Sequence, residues 1–226
     1  MTSRSDARQQ PRILRRVDDQ LCLEFVNTVA WRKSTHPNER LPSPDALLDW
    51  CVKTGSLSPG SAVELRRRWE HRPDKALASY RQAVELREAL YGLFRSKIAG
   101  EPVAKANLDV FNAALEGVPP RRGLTLDGKD LGWRFGSGRS AASEVLAPLV
   151  WSAADLITSA RAQRLRQCED PKGCGWLFLD ESRAGTRRWC SMGDCGNRAK
   201  ARRHHRRTRE LKGPRENPAR EVEHAA

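Results

Sequence analysis

The chain has 226 residues, in which 41 Lys and Arg outnumber 28 Asp and Glu and leave a formal net charge of +13. That length allows one medium domain plus a small module, and the excess positive charge favours polyanionic partners, nucleic acid foremost. No apolar run reaches the ~20 residues of a membrane-spanning helix, and the first twenty residues are polar and Arg-rich without the apolar core of a signal peptide. A soluble, cytoplasmic protein with no membrane partner is expected, in which disulfides are disfavoured.

Residues 1–13 lack any periodicity and are expected to be disordered. The apolar cluster Leu21, Leu23, Phe25, Val26 and Val29 then reads as a short buried helix, and residues 32–44 as a polar loop. Ser43-Pro44-Asp45 is a helix start, with serine as the cap and proline in the first turn; Gly55 ends that helix. Pro59 opens another, to about Glu70. From Pro73 a long helix is expected to about Ala99, because Leu77, Tyr80, Ala83, Val84, Leu86, Leu90, Leu93, Phe94 and Ile98 recur at intervals of three and four. Gly100 and Pro102 stop it, and a shorter helix follows over residues 103–115.

Asp127-Gly128 is a hairpin turn signal, so residues 123–126 and 132–135 are expected to form a two-stranded ribbon. Another helix is predicted over residues 142–167, with Val145, Leu149, Ala153, Leu156, Ile157 and Ala160 on its buried face. The expected fold is therefore mainly α with a small β-ribbon. A helical domain over residues 14–163 precedes a small module over 164–212, and residues 213–226 form a disordered tail.

The six cysteines divide into two classes. Cys22 and Cys51 each sit in an apolar segment and read as small buried hydrophobes. Cys168, Cys174, Cys190 and Cys195 have the spacing C-x5-C-x15-C-x4-C. Two close pairs joined by a short hairpin can wrap one tetrahedral ion, which points to a single structural Zn2+. Spacing alone leaves iron, a regulatory disulfide or four unrelated thiols open. Gly175 and Gly196 follow the second cysteine of each pair, where a positive φ would let the backbone turn and aim amides at the sulfurs. Residues 176–179 read as a strand, 181–186 as a polar turn and 187–190 as the returning strand of a treble-clef-like or ribbon-like unit. So small a unit needs its metal to fold.

Residues 197–209 carry seven Lys or Arg and no acid. A helix charged all round has almost no apolar face to bury and repels itself unless phosphates neutralise it. Arginine predominates, which suits bidentate contacts to phosphate or guanine. The candidate nucleic-acid contacts are Arg187, Arg188, Asn197, Arg198, Lys200, Arg202, Arg203, Arg206 and Arg207. Zinc with four thiolates adds about −2 and leaves the chain near +11, still strongly basic. No catalytic constellation or phosphate loop is present, so an enzyme is not expected.

These residues resemble the CGNR zinc-finger family of bacterial proteins. Its name motif stands as Cys195-Gly196-Asn197-Arg198, with Cys174-Gly175-Trp176-Leu177-Phe178, Asp180, Ser182-Arg183, Arg188-Trp189-Cys190-Ser191-Met192 and Lys200 around it. The first part resembles the ABATE domain that usually precedes this finger, in the segment Leu21-Cys22-Leu23-Glu24-Phe25-Val26-Asn27-Thr28 and in Leu86-Arg87-Glu88-Ala89-Leu90. The first knuckle is one residue longer than is common in that family, and Glu24 replaces the more usual aspartate. The resemblance implies a stress-associated transcription regulator that binds duplex DNA, with an N-terminal domain that senses a small-molecule effector or forms a homodimer. Asn27, Thr28 and Arg87 are the candidate lining of a ligand pocket. The competing reading is a zinc module for RNA or protein contact without sequence-specific DNA readout.

Overall fold

A computed structural model describes residues 20–127, 130–135 and 141–212; the expected disordered ends, residues 1–13 and 213–226, lie outside them. The described residues are mostly helical and form three two-stranded sheets. Its elements are α1 (Leu21–Val26), β1 (Val29–Ala30), β2 (Asn38–Glu39), α2 (Pro44–Lys53), α3 (Pro59–Glu70), α4 (Pro73–Ala99) and α5 (Lys105–Gly117). There follow β3 (Arg121–Asp127), β4 (Asp130–Phe135), α6 (Ala141–Thr158), β5 (Leu165–Gln167), β6 (Leu177–Leu179) and α7 (Asn197–Lys212). No helix among the described residues is long and apolar enough to cross a membrane.

The local signals act as their chemistry dictates. Ser43 Oγ accepts the Ala46 amide at 3.1 Å, and Ser58 Oγ caps α3 through the Ser61 amide. Gly100 ends α4 in the left-handed region at φ 67°. Helices α1, α4 and α6 bury Leu21, Phe25, Leu86, Leu90, Phe94, Leu149 and Leu156 in one core. Cys22 and Cys51 are wholly buried there, and burial pushes the Cys51 thiol up to about 12.

Three segments differ from the sequence expectation. Residues 38–39 lie in the expected polar loop yet form β2, which pairs with β1. Helix α6 stops at Thr158 instead of running to residue 167. A 3-10 turn (Ala160–Arg164) follows, started by Ser159 Oγ on the Arg161 amide, and then β5. Strand β6 pairs antiparallel with this β5, Leu165 facing Leu179, and residues 187–190 form no strand. They run instead beside the first cysteine pair, where the Glu169 amide donates to the Arg188 carbonyl at 3.0 Å.

Strand β6 has two jobs because side chains alternate across a strand. Leu177 and Leu179 belong to the main helical core. Phe178, between them, packs with Cys168, Cys174 and Cys195 in a second small core that Trp31, Trp176 and Trp189 flank.

Candidate metal centre and basic helix

The four cysteines converge from three local structures. Cys168 follows β5, Cys174 precedes β6, and Cys190 lies just before a π-type turn (Met192–Gly196) that contains Cys195 and leads straight into α7. Their sulfurs all lie within 4.8 Å of one another. Cys174 Sγ is 3.7 Å from Cys190 Sγ, which is 3.6 Å from Cys195 Sγ. Zinc–sulfur bonds of ~2.3 Å in a tetrahedron place sulfurs ~3.8 Å apart, so the donor set fits one zinc ion. All six cysteines are free of disulfides.

Amides do aim at the sulfurs. Those of Asp170 and Cys190 face Cys168, and that of Trp176 faces Cys174. Gly175 takes the positive φ of 70° that this turn requires. Gly196 serves differently: its φ is not left-handed, but a Cβ there would come within 3.2 Å of Met192 Sδ and 3.4 Å of Trp189 Cδ1. Close packing against Met192 and Trp189, and not backbone freedom, is what glycine eases at that position.

Without an ion, the four thiols cannot all ionise together. Hydrogen bonds from Cys174 and Cys190 favour the charged form of Cys168, whereas Cys190 is pushed far up by its role as donor to Cys168 and Cys174. Burial raises Cys195 to about 12. A bound cation would reverse this by drawing off the remaining protons. The chemistry it supplies is structural: it ties the two knuckles, and hence α7, to one point.

Asp170 fixes the direction of α7. Its carboxylate is fully buried. Arg198 reaches Oδ2 through Nε and Nη2 at 3.0 and 2.9 Å, and Arg202 Nη2 reaches Oδ1 at 3.0 Å. Burial alone would raise the Asp170 pKa, but the Lys172 amide and the two guanidinium groups hold it below the usual carboxylate value. Arg198 also donates to Cys195 Sγ at 2.8 Å, pairs with Asp194, and lies 4.9 Å above the Trp31 ring. An aspartate inside a cysteine knuckle beside an Arg-rich run is the signal the sequence offers for this role.

The nine candidate nucleic-acid residues are thus placed differently. Arg187 is directed inward, donating to the carbonyls of Trp189 and Cys190 and stacking 4.7 Å from Phe178. Asn197 caps back onto the Gly193 carbonyl at 3.0 Å. Arg198 is held as described and Arg202 is half-buried. Arg188, Lys200, Arg203, Arg206 and Arg207 are exposed.

The three candidate pocket residues also separate. Asn27 and Thr28 line a cavity of about 630 Å³ with Arg40, Trp50, Lys53 and Trp176. Arg87 is not among its lining residues. It turns to Glu39, reaching both carboxylate oxygens at 2.7 and 2.6 Å, and to Thr28 Oγ1 at 3.1 Å. Trp176 closes the cavity from the cysteine module and donates its indole N–H to the Val29 carbonyl at 3.2 Å.

Comparison with known families agrees with this geometry. Residues 19–160, more than half of the chain, match the family model ABATE, described as "Putative stress-induced transcription regulator". The chain belongs to the ABATE family. Residues 164–208 match the CGNR zinc finger, and the four-cysteine cluster falls inside that match. This ABATE protein therefore carries a CGNR finger with one four-cysteine zinc site. Its family description gives it no catalytic assignment. No curated protein matches the chain.

Proposed function

We propose that the chain is a zinc-dependent, DNA-binding transcription regulator in which the residues 164–212 module contacts duplex DNA and the residues 14–163 domain senses an effector or dimerises. The observation that carries this reading is the outward face of α7. Asp170 and the second cysteine pair anchor the helix, and Lys200, Arg203, Arg206 and Arg207 stand exposed along it. A helix anchored at its start and positively charged along its exposed face attracts backbone phosphates and can enter a major groove. Arg187, Asn197 and Arg198 act as positioning residues, whereas Arg188, Lys200, Arg202, Arg203, Arg206 and Arg207 meet the nucleic acid. The cavity at Asn27 and Thr28 is the natural seat for a small-molecule effector, since its wall includes Trp176 of the zinc module.

Selection of genomic fragments by the zinc-loaded full-length chain, repeated after chelation, tests the proposal. One duplex sequence should survive excess competitor DNA, and only with zinc bound. If about six phosphates are contacted, log affinity should fall with log salt at a slope of roughly −5. Equal affinity for RNA and every duplex would favour a general polyanion binder, and a flat salt response would remove nucleic acid from the function.

A further inference from the structure

Between the cysteine knuckles and α7 the surface folds into a cleft of about 490 Å³. Arg188, Arg202, Arg203 and Arg206 line it, Trp189 forms part of its wall, and among the described residues Glu169 is its one acid. Four guanidinium groups around one carboxylate form a site built for an anion. Two details sharpen this. Glu169 pairs with Arg188 at 2.5 Å, and both side chains are at least half exposed, so an incoming anion can replace that carboxylate easily. Arg202 spends Nη2 on Asp170, while its Nη1 is buried without a hydrogen-bond partner. Buried donors normally find an acceptor.

We infer that this cleft is an anchor for one phosphodiester of duplex DNA. Arg188, Arg202 and Arg203 hold the phosphate, the adjoining sugar packs on Trp189, and Glu169 is a resident carboxylate that the phosphate displaces. This rests on the nucleic-acid reading above and adds a division of labour to it. The cleft fixes the register of the module on the backbone, and the outer turns of α7 face the groove, because phosphate contacts position a protein and base contacts specify. The rigid cysteine knuckle supplies one side of the cleft and the basic helix the other, so the anchor exists only when the finger is folded.

The test measures duplex binding by fluorescence anisotropy over a range of KCl concentrations, using full-length zinc-loaded protein. Wild type is compared with Arg188→Ala, Arg203→Ala, Glu169→Gln and, outside the cleft, Arg207→Ala. Zinc stoichiometry and circular dichroism establish that each variant is folded. Arg188→Ala and Arg203→Ala should each make the log–log salt slope shallower by about one and weaken binding equally on all sequences. Combined, they should lose less than the sum of their separate effects, because they share one phosphate. Glu169→Gln should bind more tightly at every salt concentration.

Full additivity of the two arginine variants, loss from Arg207→Ala alone, or weaker binding by Glu169→Gln would overturn the cleft while leaving nucleic-acid binding intact. No duplex binding by the wild type would overturn both.

Discussion

The side-chain amide of Asn27 grips the backbone of Leu177 in both directions, donating to its carbonyl at 2.8 Å and accepting from its amide at 2.9 Å. The two residues are 150 positions apart. One lies just past α1 and the other opens β6 in the zinc module, so the pair bolts the finger to the helical domain. Asn27→Ala should cost about 2 kcal/mol, since two hydrogen bonds go and a strand amide is left without its acceptor. Asn27→Asp keeps the acceptor only and should fall between. Urea unfolding of zinc-loaded protein reads the loss, and amide exchange at Leu177 should accelerate most in Asn27→Ala, which removes its acceptor.

Zinc loading should release protons. Cys168 alone holds its charge readily, while Cys174, Cys190 and Cys195 are shifted toward their protonated forms. Binding one ion near pH 7 should therefore liberate about three protons from a folded metal-free site and about four if the finger unfolds without its metal, and affinity should fall steeply as pH drops. Calorimetric titration in buffers of different ionisation enthalpy counts them; release of fewer than two would contradict the proton inventory. Cys190→Ser should bring zinc below one per chain.

Arg87→Ala should destabilise the helical domain by about 2–3 kcal/mol, because it leaves Glu39 without the cation that holds its carboxylate. The Arg87 side chain is only 3% exposed. Lysine cannot reproduce a fork that meets two carboxylate oxygens and Thr28 together, so Arg87→Lys should recover little. Thermal unfolding compares the three proteins.

Much of this was legible in the sequence. Helices α2, α3 and α4 carry their caps and periodicity locally, and the cysteine spacing announces a tetrahedral site before any fold is known. Residues 158–167 misled because they are basic, polar and free of glycine or proline. Their strand forms only when Leu165 meets Leu179, a partner no local pattern reveals. Arg87 was legible as an important polar residue, but its partner Glu39 lies 48 positions away, in a segment that reads as loop. Asp170 was hidden for the same reason. Its role needs Arg198 and Arg202 folded back over it, so an ordinary knuckle turn and a helix-orienting carboxylate look alike in one dimension.

Acid should remove what Asp170 contributes to the stability of the finger. The folded pKa of Asp170 lies below the unfolded value near 3.9. Its contribution is thus complete above about pH 4 and disappears as protonation proceeds below that. In Asp170→Asn this part of the acid sensitivity should be missing. The variant should also be less stable than wild type at neutral pH, by about 1–3 kcal/mol given that both arginines are partly solvated. Unfolding curves of the two proteins from pH 7 downward should converge as the carboxylate is neutralised.

Strand β6 is three residues long and serves two cores, with Leu177 and Leu179 on one side and Phe178 on the other. A finger built this way is not a portable bead. Cut out at its sequence boundaries, it would expose two leucines that its own chain has no means to cover, and it would lose the Asn27 grip as well. Hybrids that exchange target preference between relatives should therefore keep α1 and β1 in the same parental sequence as the finger. The unit of inheritance is the joint and not the zinc loop alone.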